Sequence, residues 1–433
     1  MFIGPSMIAA IKRVNHITFH VTDGEQLVTD LVSKFRCTLF ATRVTKKVKQ
    51  LVFRKGSSVF VVNQKVRVSS SSQGYEGHSL EMRPDYVGSA GVPNQEWVHN
   101  WDGHFLYDAE PSGAISTASN LSFEVDNLNA LSRHLRDSGC NLLVPPTKVE
   151  DDSGFVLYSV VKSIVGNVCH TLIDKAAYRG EFLPGFLLLD RGRIRDDDTI
   201  GHIDHVTYAC PRGSTPHVLD WYEKCFGFKR FYINRNEDVR EGLVITGNGI
   251  GLRLTAMQYW NCSEAGMDPS ATKVVIAESL PQQGNNQVDT FLNQHGSAGI
   301  QHVGLYTRDI ITASKIFTDA GVQFLCPPHT YYTEIGKLQE IQEAGHDPNV
   351  LWQQGVLLDA EVEGEEPHED EAKCKTACVS KKRYLLQMFT KPLFSEDTFF
   401  FELIERQGAY GFGEGNIKGL WRAIQTYLEK TIT

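Results

Sequence analysis

Three side chains of types that bind redox metals stand out: His205 in Ile203-Asp204-His205-Val206, His302 in Gly299-Ile300-Gln301-His302-Val303, and Glu402 in Phe400-Phe401-Glu402-Leu403-Ile404. Two imidazoles and one carboxylate on a single face leave three adjacent coordination positions open. That suits Fe(II) binding a bidentate oxo acid and O2, whereas zinc prefers four protein ligands or one open position. Taken singly, each residue would be an ordinary buried, hydrogen-bonded core residue. An internal repeat is what groups them.

Val14-Asn15-His16-Ile17-Thr18-Phe19 recurs as Ile203-Asp204-His205-Val206-Thr207-Tyr208, and each copy leads into an amphipathic helical stretch (Leu27, Leu31, Phe35; Leu219, Tyr222, Phe226). Asn120-Leu121-Ser122-Phe123 leads to Pro145-Pro146 as His302-Val303-Gly304-Leu305 leads to Pro327-Pro328, with 25 residues from Asn120 to Pro145 and from His302 to Pro327. Leu172-Ile173-Asp174-Lys175 answers Leu403-Ile404-Glu405-Arg406, which sets Thr171 opposite Glu402. At the three matched positions the first half offers His16, Asn120 and Thr171, so only the second half can form the metal face. His202, three residues from His205 on a strand, points to the other face of the sheet. His170, next to Thr171, is expected to face away from the first barrel. Cys374 and Cys378 have no partner pair near in sequence and do not make a zinc site.

To position these residues, each half needs two paired β-α-β-β-β modules. The fold class is therefore α+β: two tandem open β-barrel-like sheets with helices outside. The first domain spans 1–189 and has no metal site, 190–198 is a charged linker, and the catalytic domain spans 199–433. From Pro146 to Thr171 is 25 residues but from Pro328 to Glu402 is 74, so the second half carries about 49 extra. They include an acidic stretch, about 359–383, read as a solvated surface loop. The run Ser69 to Ser72 opens a long loop reaching Thr117, with Trp97 and Trp101 as packing residues. An apolar stripe of Ile417, Leu420, Trp421 and Ile424 predicts a helix over about 416–431 that closes the site.

With 433 residues, 41% hydrophobic and 22% charged, the chain can bury two sizeable cores. A net charge of -9 without a basic stripe excludes a nucleic-acid partner and favours a small molecule. No apolar run is long enough for a membrane span. Nine cysteines scattered in apolar strings read as thiols in a reducing compartment, not as disulfides.

The chain resembles the 4-hydroxyphenylpyruvate dioxygenase family of the vicinal-oxygen-chelate fold. The resemblance covers nearly the whole length. It is carried by the three ligand motifs together with Leu386-Gln387-Met388-Phe389-Thr390-Lys391-Pro392 and Gly411-Phe412-Gly413-Glu414-Gly415-Asn416. It implies that His205, His302 and Glu402 are the catalytic and metal residues, with one Fe(II) per chain. It also implies that Gln287, Gln301, Gln387, Phe389, Phe400, Phe412 and Asn416 line the substrate pocket. The substrate's own 2-oxo acid then chelates iron, O2 is the co-substrate, and no 2-oxoglutarate is needed.

Two kinds of departure bear on the product. Homogentisate-forming members have Phe after Gly-Phe-Gly-x-Gly-Asn; this chain has Ile417, in which it is similar to 4-hydroxymandelate synthases. That implies hydroxylation at the benzylic carbon, giving 4-hydroxymandelate and CO2 and feeding ubiquinone ring synthesis. The family's pocket Ser and Asn also align here with Leu254 and Ser279. The alternatives are ordinary homogentisate formation and an altered pseudoenzyme or binding module. Resemblance to animal members implies the mitochondrion, although the N-terminal residues show no clear presequence, and the cytoplasm is the alternative. The sequence leaves open whether the chain forms a homo-oligomer.

Overall fold

Each module opens on a strand rich in β-branched and aromatic residues, because that strand lies at the middle of a sheet with both faces covered. The computed structural model describes residues 11–22, 24–66, 106–111, 113, 115–189, 198–232, 237–238, 241–247, 250–259, 273–281, 286–361 and 382–417. Module one comprises β1 (Ile11–Val21), α1 (Gly24–Thr29) continued by one π turn, β2 (Thr38–Val44), β3 (Val48–Lys55) and β4 (Ser58–Lys65). Module two comprises β5 (Thr117–Val125), α2 (Leu128–Asp137), β6 (Leu142–Asp151), β7 (Gly154–Lys162) and β8 (Cys169–Asp174), after which β9 (Leu187–Leu188) returns to pair with β2. The second half repeats the plan with β10 (Ile203–Cys210), α3 (Thr215–Phe226), β11 (Phe228–Phe231), β12 (Leu243–Gly247), β13 (Ile250–Tyr259) and β14 (Lys273–Ser279). Then come α4 (Gln287–His295), β15 (Gly299–Tyr306), α5 (Ile310–Asp319), α6 (His329–Thr333), α7 (Ile335–Glu343), α8 (Pro348–Gln354), β16 (Leu357–Glu361), β17 (Arg383–Phe389) and β18 (Phe400–Gln407).

The described strands form two curled sheets, one per half. In every module the first and last strands pair in parallel: β1 with β4, β5 with β8, β10 with β14, and β15 with β18. The two opening strands of each half pair antiparallel. The register repeats as well. His16 faces Ser122 and Thr18 faces Asn120 in the first half, as His205 faces Gly304 and Thr207 faces His302 in the second. Even the β-bulges recur, between Val14 and His16 and between Ile203 and His205. The repeat visible in the sequence is thus a repeat of backbone geometry.

The helices pack their apolar faces onto the outer faces of the sheets, and one core runs between the halves. Phe19 meets Phe399 edge-on at 5.1 Å and Phe35 meets Phe401 at 5.2 Å. His170 does turn away from its barrel: its Nε2 lies 2.7 Å from the Tyr222 hydroxyl of α3. Smaller apolar clusters fill the concave face of each sheet. No helix among the described residues is long and apolar enough to cross a membrane.

The extra residues of the second half correct the sequence reading. Pro328 caps α6 where Pro146 lies within β6, and three short helices follow before β16. Asp359 and Glu361, expected in a solvated loop over 359–383, lie in β16 instead, and Arg383 already begins β17. Their carboxylates accept backbone N–H groups, so the acidic character here serves internal hydrogen bonding and not solvation. The remainder of that stretch with Cys374 and Cys378, the run from Ser69 with Trp97 and Trp101, residues 190–197 of the linker, and the terminal helix beyond Ile417 lie outside the described residues.

Candidate metal centre

The three candidate ligands come from adjacent central strands, β10, β15 and β18. Gly304 sits between two of them, facing His205 on one side and Glu402 on the other. A Cβ at Gly304 would overlap the His205 ring, so this glycine lets the imidazole lie across β15. His302 stacks its ring on Phe400, with centroids 4.7 Å apart and planes at 19°. As a result His205 Nε2 lies 3.2 Å and His302 Nε2 lies 3.5 Å from the same oxygen of Glu402. All three donor atoms fall within 4.8 Å of one another. Neighbouring donors around one first-row divalent ion sit about 3 Å apart, so the set is near the spacing such an ion requires.

The electrostatics favour a cation as well. Glu402 is 2% exposed, and a buried carboxylate beside two imidazoles is costly unless positive charge joins it. Burial lowers the His205 pKa, but Glu402 and Asp204 outweigh that and raise it to about 8, so without a metal a proton supplies the charge. Burial and the neighbouring His205 hold His302 well below the usual histidine range, leaving its lone pair free to bind a metal.

His205 is further oriented from behind. Its Nδ1–H donates to Asp204 Oδ1 at 2.9 Å, which leaves Nε2 as the donor toward the centre. Arg406 clamps that carboxylate with two bonds of 2.7 Å, from Nε to Oδ2 and from Nη2 to Oδ1. Burial opposes the ionisation of Asp204, but Arg406 more than offsets it and keeps the carboxyl well below its ordinary range. The same guanidinium donates to the carbonyl of Gly411 at 2.7 Å, tying the ligand to the turn that carries Phe412. The sequence reading did not single out Asp204 or Arg406, although both lie inside its repeat motifs.

The expected pocket residues gather around this point. Gln387 donates through Nε2 to Glu402 Oε1 at 2.8 Å and accepts at Oε1 from Asn416 Nδ2 at 2.8 Å. Gln301 reaches back to the Gln287 carbonyl, and its Oε1 accepts from His302 Nδ1 at 3.2 Å. The buried Gln287 Oε1 finds no partner among the described residues. Phe389 packs near Phe400 with centroids 6.2 Å apart, and Phe412 meets the His205 ring edge-on at 5.0 Å. Ile417, in the helical turn that follows Gly413, packs against the buried apolar cluster that includes Phe412, as do Phe231 and Leu254. Ser279 donates to Asn286 at 2.9 Å and so supports the N-terminus of α4.

Other supports gave no sequence signal. The Tyr331 hydroxyl of α6 lies 3.0 Å from Asn416 Oδ1 and 2.9 Å from the Leu358 carbonyl. Glu361 accepts from the N–H groups of Tyr410 and Gly411, and Asp359 from that of Gly415. Together they hold the Gly411–Asn416 turn over the centre. His202, by contrast, stacks on Tyr306 at 4.6 Å and takes no part in the three-residue group.

Comparison with known proteins agrees with this architecture. A profile of the Glyoxalase/Bleomycin resistance protein/Dioxygenase superfamily matches residues 202–344, the stretch containing His205 and His302. A 4-hydroxyphenylpyruvate dioxygenase-like protein of Mus musculus is 39% identical over 97% of this chain and 98% of its own length. A 4-hydroxyphenylpyruvate dioxygenase of Xenopus tropicalis is 30% identical over 71% of each chain. Among solved structures, a triple mutant of 4-hydroxymandelate synthase from Streptomyces coelicolor shares the fold, with a TM-score of 0.69 at 21% identity, covering 96% of this chain and 99% of its own. With the two-sheet fold and the His-His-Glu grouping in place, these matches establish that the chain belongs to the 4-hydroxyphenylpyruvate dioxygenase family.

Proposed function

We propose that the chain is an Fe(II)-dependent dioxygenase converting 4-hydroxyphenylpyruvate and O2 into 4-hydroxymandelate and CO2. The observation that carries this reading is the convergence of His205, His302 and Glu402 on three adjacent strands of the second half, with Gln387 and Phe412 in contact with the group. On this reading residues 1–189 form a domain without metal and residues 199–433 the catalytic domain. Iron held by the three side chains would supply a centre at which a 2-oxo acid chelates and O2 is reduced. The rest falls to the chain itself. Gln387, fixed between Glu402 and Asn416, sets the orientation of the carboxylate. Phe389, Phe400 and Phe412 exclude water and offer ring faces to an aromatic substrate. Gln287, with its unpaired buried oxygen, suits a polar substituent such as a phenol hydroxyl.

Ile417 supports the benzylic product. It packs against the apolar cluster that contains Phe412, so its bulk helps set where the substrate ring rests. A flat Phe in its place would press the ring toward a different position. The test is anaerobic reconstitution with Fe(II), addition of 4-hydroxyphenylpyruvate and then O2, and identification of the product by mass and retention. 4-Hydroxymandelate is the expected product, and Ile417→Phe should divert part of it to homogentisate. Homogentisate from the unaltered protein would overturn the benzylic assignment, and iron binding without any product would overturn the enzymatic one.

A further inference from the structure

Away from the metal centre, two thiols from opposite halves of the chain face each other. Cys140 follows α2 in the first half, and Cys225 lies in the last turn of α3 in the second. Their sulfurs are 2.9 Å apart and both are free thiols. Neighbouring contacts hold the two segments in this register. Lys224 Nζ donates to the Ser138 carbonyl at 3.1 Å, and His134 Nε2 lies 2.8 Å from the Lys224 carbonyl. Disulfide formation would need the sulfurs to close by only roughly 0.9 Å, to a bond of about 2.05 Å.

We propose that Cys140 and Cys225 are a site of reversible oxidative modification, at which a hydroperoxide converts the pair to a disulfide joining the two halves of the molecule. The two thiols differ in the way such chemistry requires. Cys140 is partly exposed, whereas Cys225 is 1% exposed, so an oxidant in solution meets Cys140 first. Hydrogen bonding from Cys225 and the charge of Lys224 favour the Cys140 thiolate, while the Cys225 thiol is pushed up. The Cys140 thiolate attacks one oxygen of hydrogen peroxide; the O–O bond breaks, hydroxide leaves, and Cys140 becomes a sulfenic acid. The Cys225 sulfur then attacks the Cys140 sulfur, forming the S–S bond, and the sulfenic oxygen leaves as water together with the Cys225 proton. The thiols lose two electrons and one peroxide becomes two waters. A dithiol reductant reverses the change.

The two cysteines lie 85 positions apart, so the bond closes a long loop. It also spans the contact between the helix following the His16 strand's partner, β5, and the helix following the His205 strand. The rigid connection of the halves is its structural consequence.

The test treats the full-length reduced protein with one equivalent of hydrogen peroxide under native conditions, followed by alkylation and peptide mapping. The expected result is a linked Cys140–Cys225 peptide as the first and main product, lighter than the two thiol peptides by two hydrogens and cleaved by dithiothreitol. Non-reducing electrophoresis should show a faster band. In Cys225→Ser the sulfenic acid has no thiol to trap it, so one equivalent of peroxide should leave Cys140 as a sulfenic acid that dimedone captures, and a second equivalent should carry it to the sulfinic acid. In Cys140→Ser the buried Cys225 should remain alkylatable only after unfolding. Recovery of both residues as free thiols while other cysteines oxidise would overturn the proposal. So would a main cross-link between any other pair, or unchanged oxidation of Cys140 to a disulfide in Cys225→Ser.

Discussion

The two halves of this chain share modules, strand order, register and bulges, yet their centres are built oppositely. In the second half the strands themselves bring two imidazoles and a carboxylate together. In the first half the matched positions hold Asn120 and Thr171, and a carboxylate arrives from elsewhere: Asp108 accepts from Asn120 at 2.6 Å, His20 at 2.7 Å and Asn63 at 3.0 Å. Thr171 donates to the Tyr107 carbonyl at 2.7 Å, so the 106–109 segment is bound into the barrel mouth. The concavity lined by His16, Tyr107, Asp108 and Phe182 has no room left for a water molecule. A metal centre and a satisfied polar plug are thus two solutions to the same problem, a barrel whose polar interior must be paired.

The difference extends to the support behind each histidine. His205 leans on Asp204, which is clamped by Arg406; His16 leans on Asn15 at 2.8 Å, and Lys175, the counterpart of Arg406, donates instead to the Phe182 carbonyl. One half has kept a charged relay and the other has neutralised it.

Removing a ligand should produce the largest effect. Glu402→Ala is expected to lose bound iron and turnover to background while the fold survives, because the site's own scaffold is the sheet. The matched change Thr171→Ala should leave iron content unchanged and cost about 1–2 kcal/mol of stability from lost hydrogen bonds. Metal analysis and chemical denaturation of the two variants compare the halves directly. Iron retained by Glu402→Ala would end the reading of the second half as a metal centre.

Next in size is Asp204→Asn, which gives the second half the neutral support found in the first. Arg406 then stays buried without its counter-charge, at a cost of about 3–5 kcal/mol, and metal affinity should fall about 10- to 100-fold. Unchanged affinity and stability would mean that the relay is incidental to holding His205.

How much of this was legible in the sequence follows from the same comparison. The repeat exposed the modules and the three ligand positions, because a doubled gene carries its own alignment, and the structure keeps that register down to the facing pairs. The supports were illegible for two reasons. Asp204 and Arg406 lie 202 positions apart, and nothing local marks them as partners. Asp359 and Glu361 carry the charge of a surface loop, and only tertiary contact with the Gly411–Asn416 turn gives that charge a use. Helices α6 to α8 have no counterpart in the first half, so internal comparison could not reveal them or the contact of Tyr331 with Asn416.

The paired histidines should also titrate in opposite directions. Burial lowers His16 to about 4, whereas His205 is raised to about 8 in the metal-free protein despite its burial. For His16 the folded value lies below the unfolded value of about 6.5; its neutral form therefore supports the fold fully above pH 6.5, and as pH falls toward 4 up to about 3 kcal/mol is lost. For His205 the support is fully present below about 6.5 and is lost as pH rises through 8, amounting to about 2 kcal/mol. Urea unfolding of metal-free protein across pH 4 to 9 should show both limbs, with His16→Asn making the acid limb shallower and leaving the alkaline limb unchanged. An unchanged acid limb in that variant would assign the loss to other groups, among them His170, which burial also lowers to about 4.

The smallest effect tests one methyl group. Gly304 and Ser122 occupy the same register position, facing His205 and His16 respectively. Ser122 carries a side chain there, bonded to the Thr171 carbonyl at 3.1 Å, so the first half accommodates a Cβ beneath its histidine. The second half does not, since a Cβ on Gly304 would meet the His205 ring. Gly304→Ala should therefore push the imidazole away from Glu402, costing about 1–3 kcal/mol in overpacking and weakening metal binding, while Ser122→Ala should cost at most about 1 kcal/mol and leave metal binding alone. Calorimetric titration of Gly304→Ala with Co(II) reads the displacement without depending on turnover. Wild-type affinity in that variant would show that the His205 ring can find its place without the close approach of β15, and the contrast between glycine and serine would then carry no functional weight.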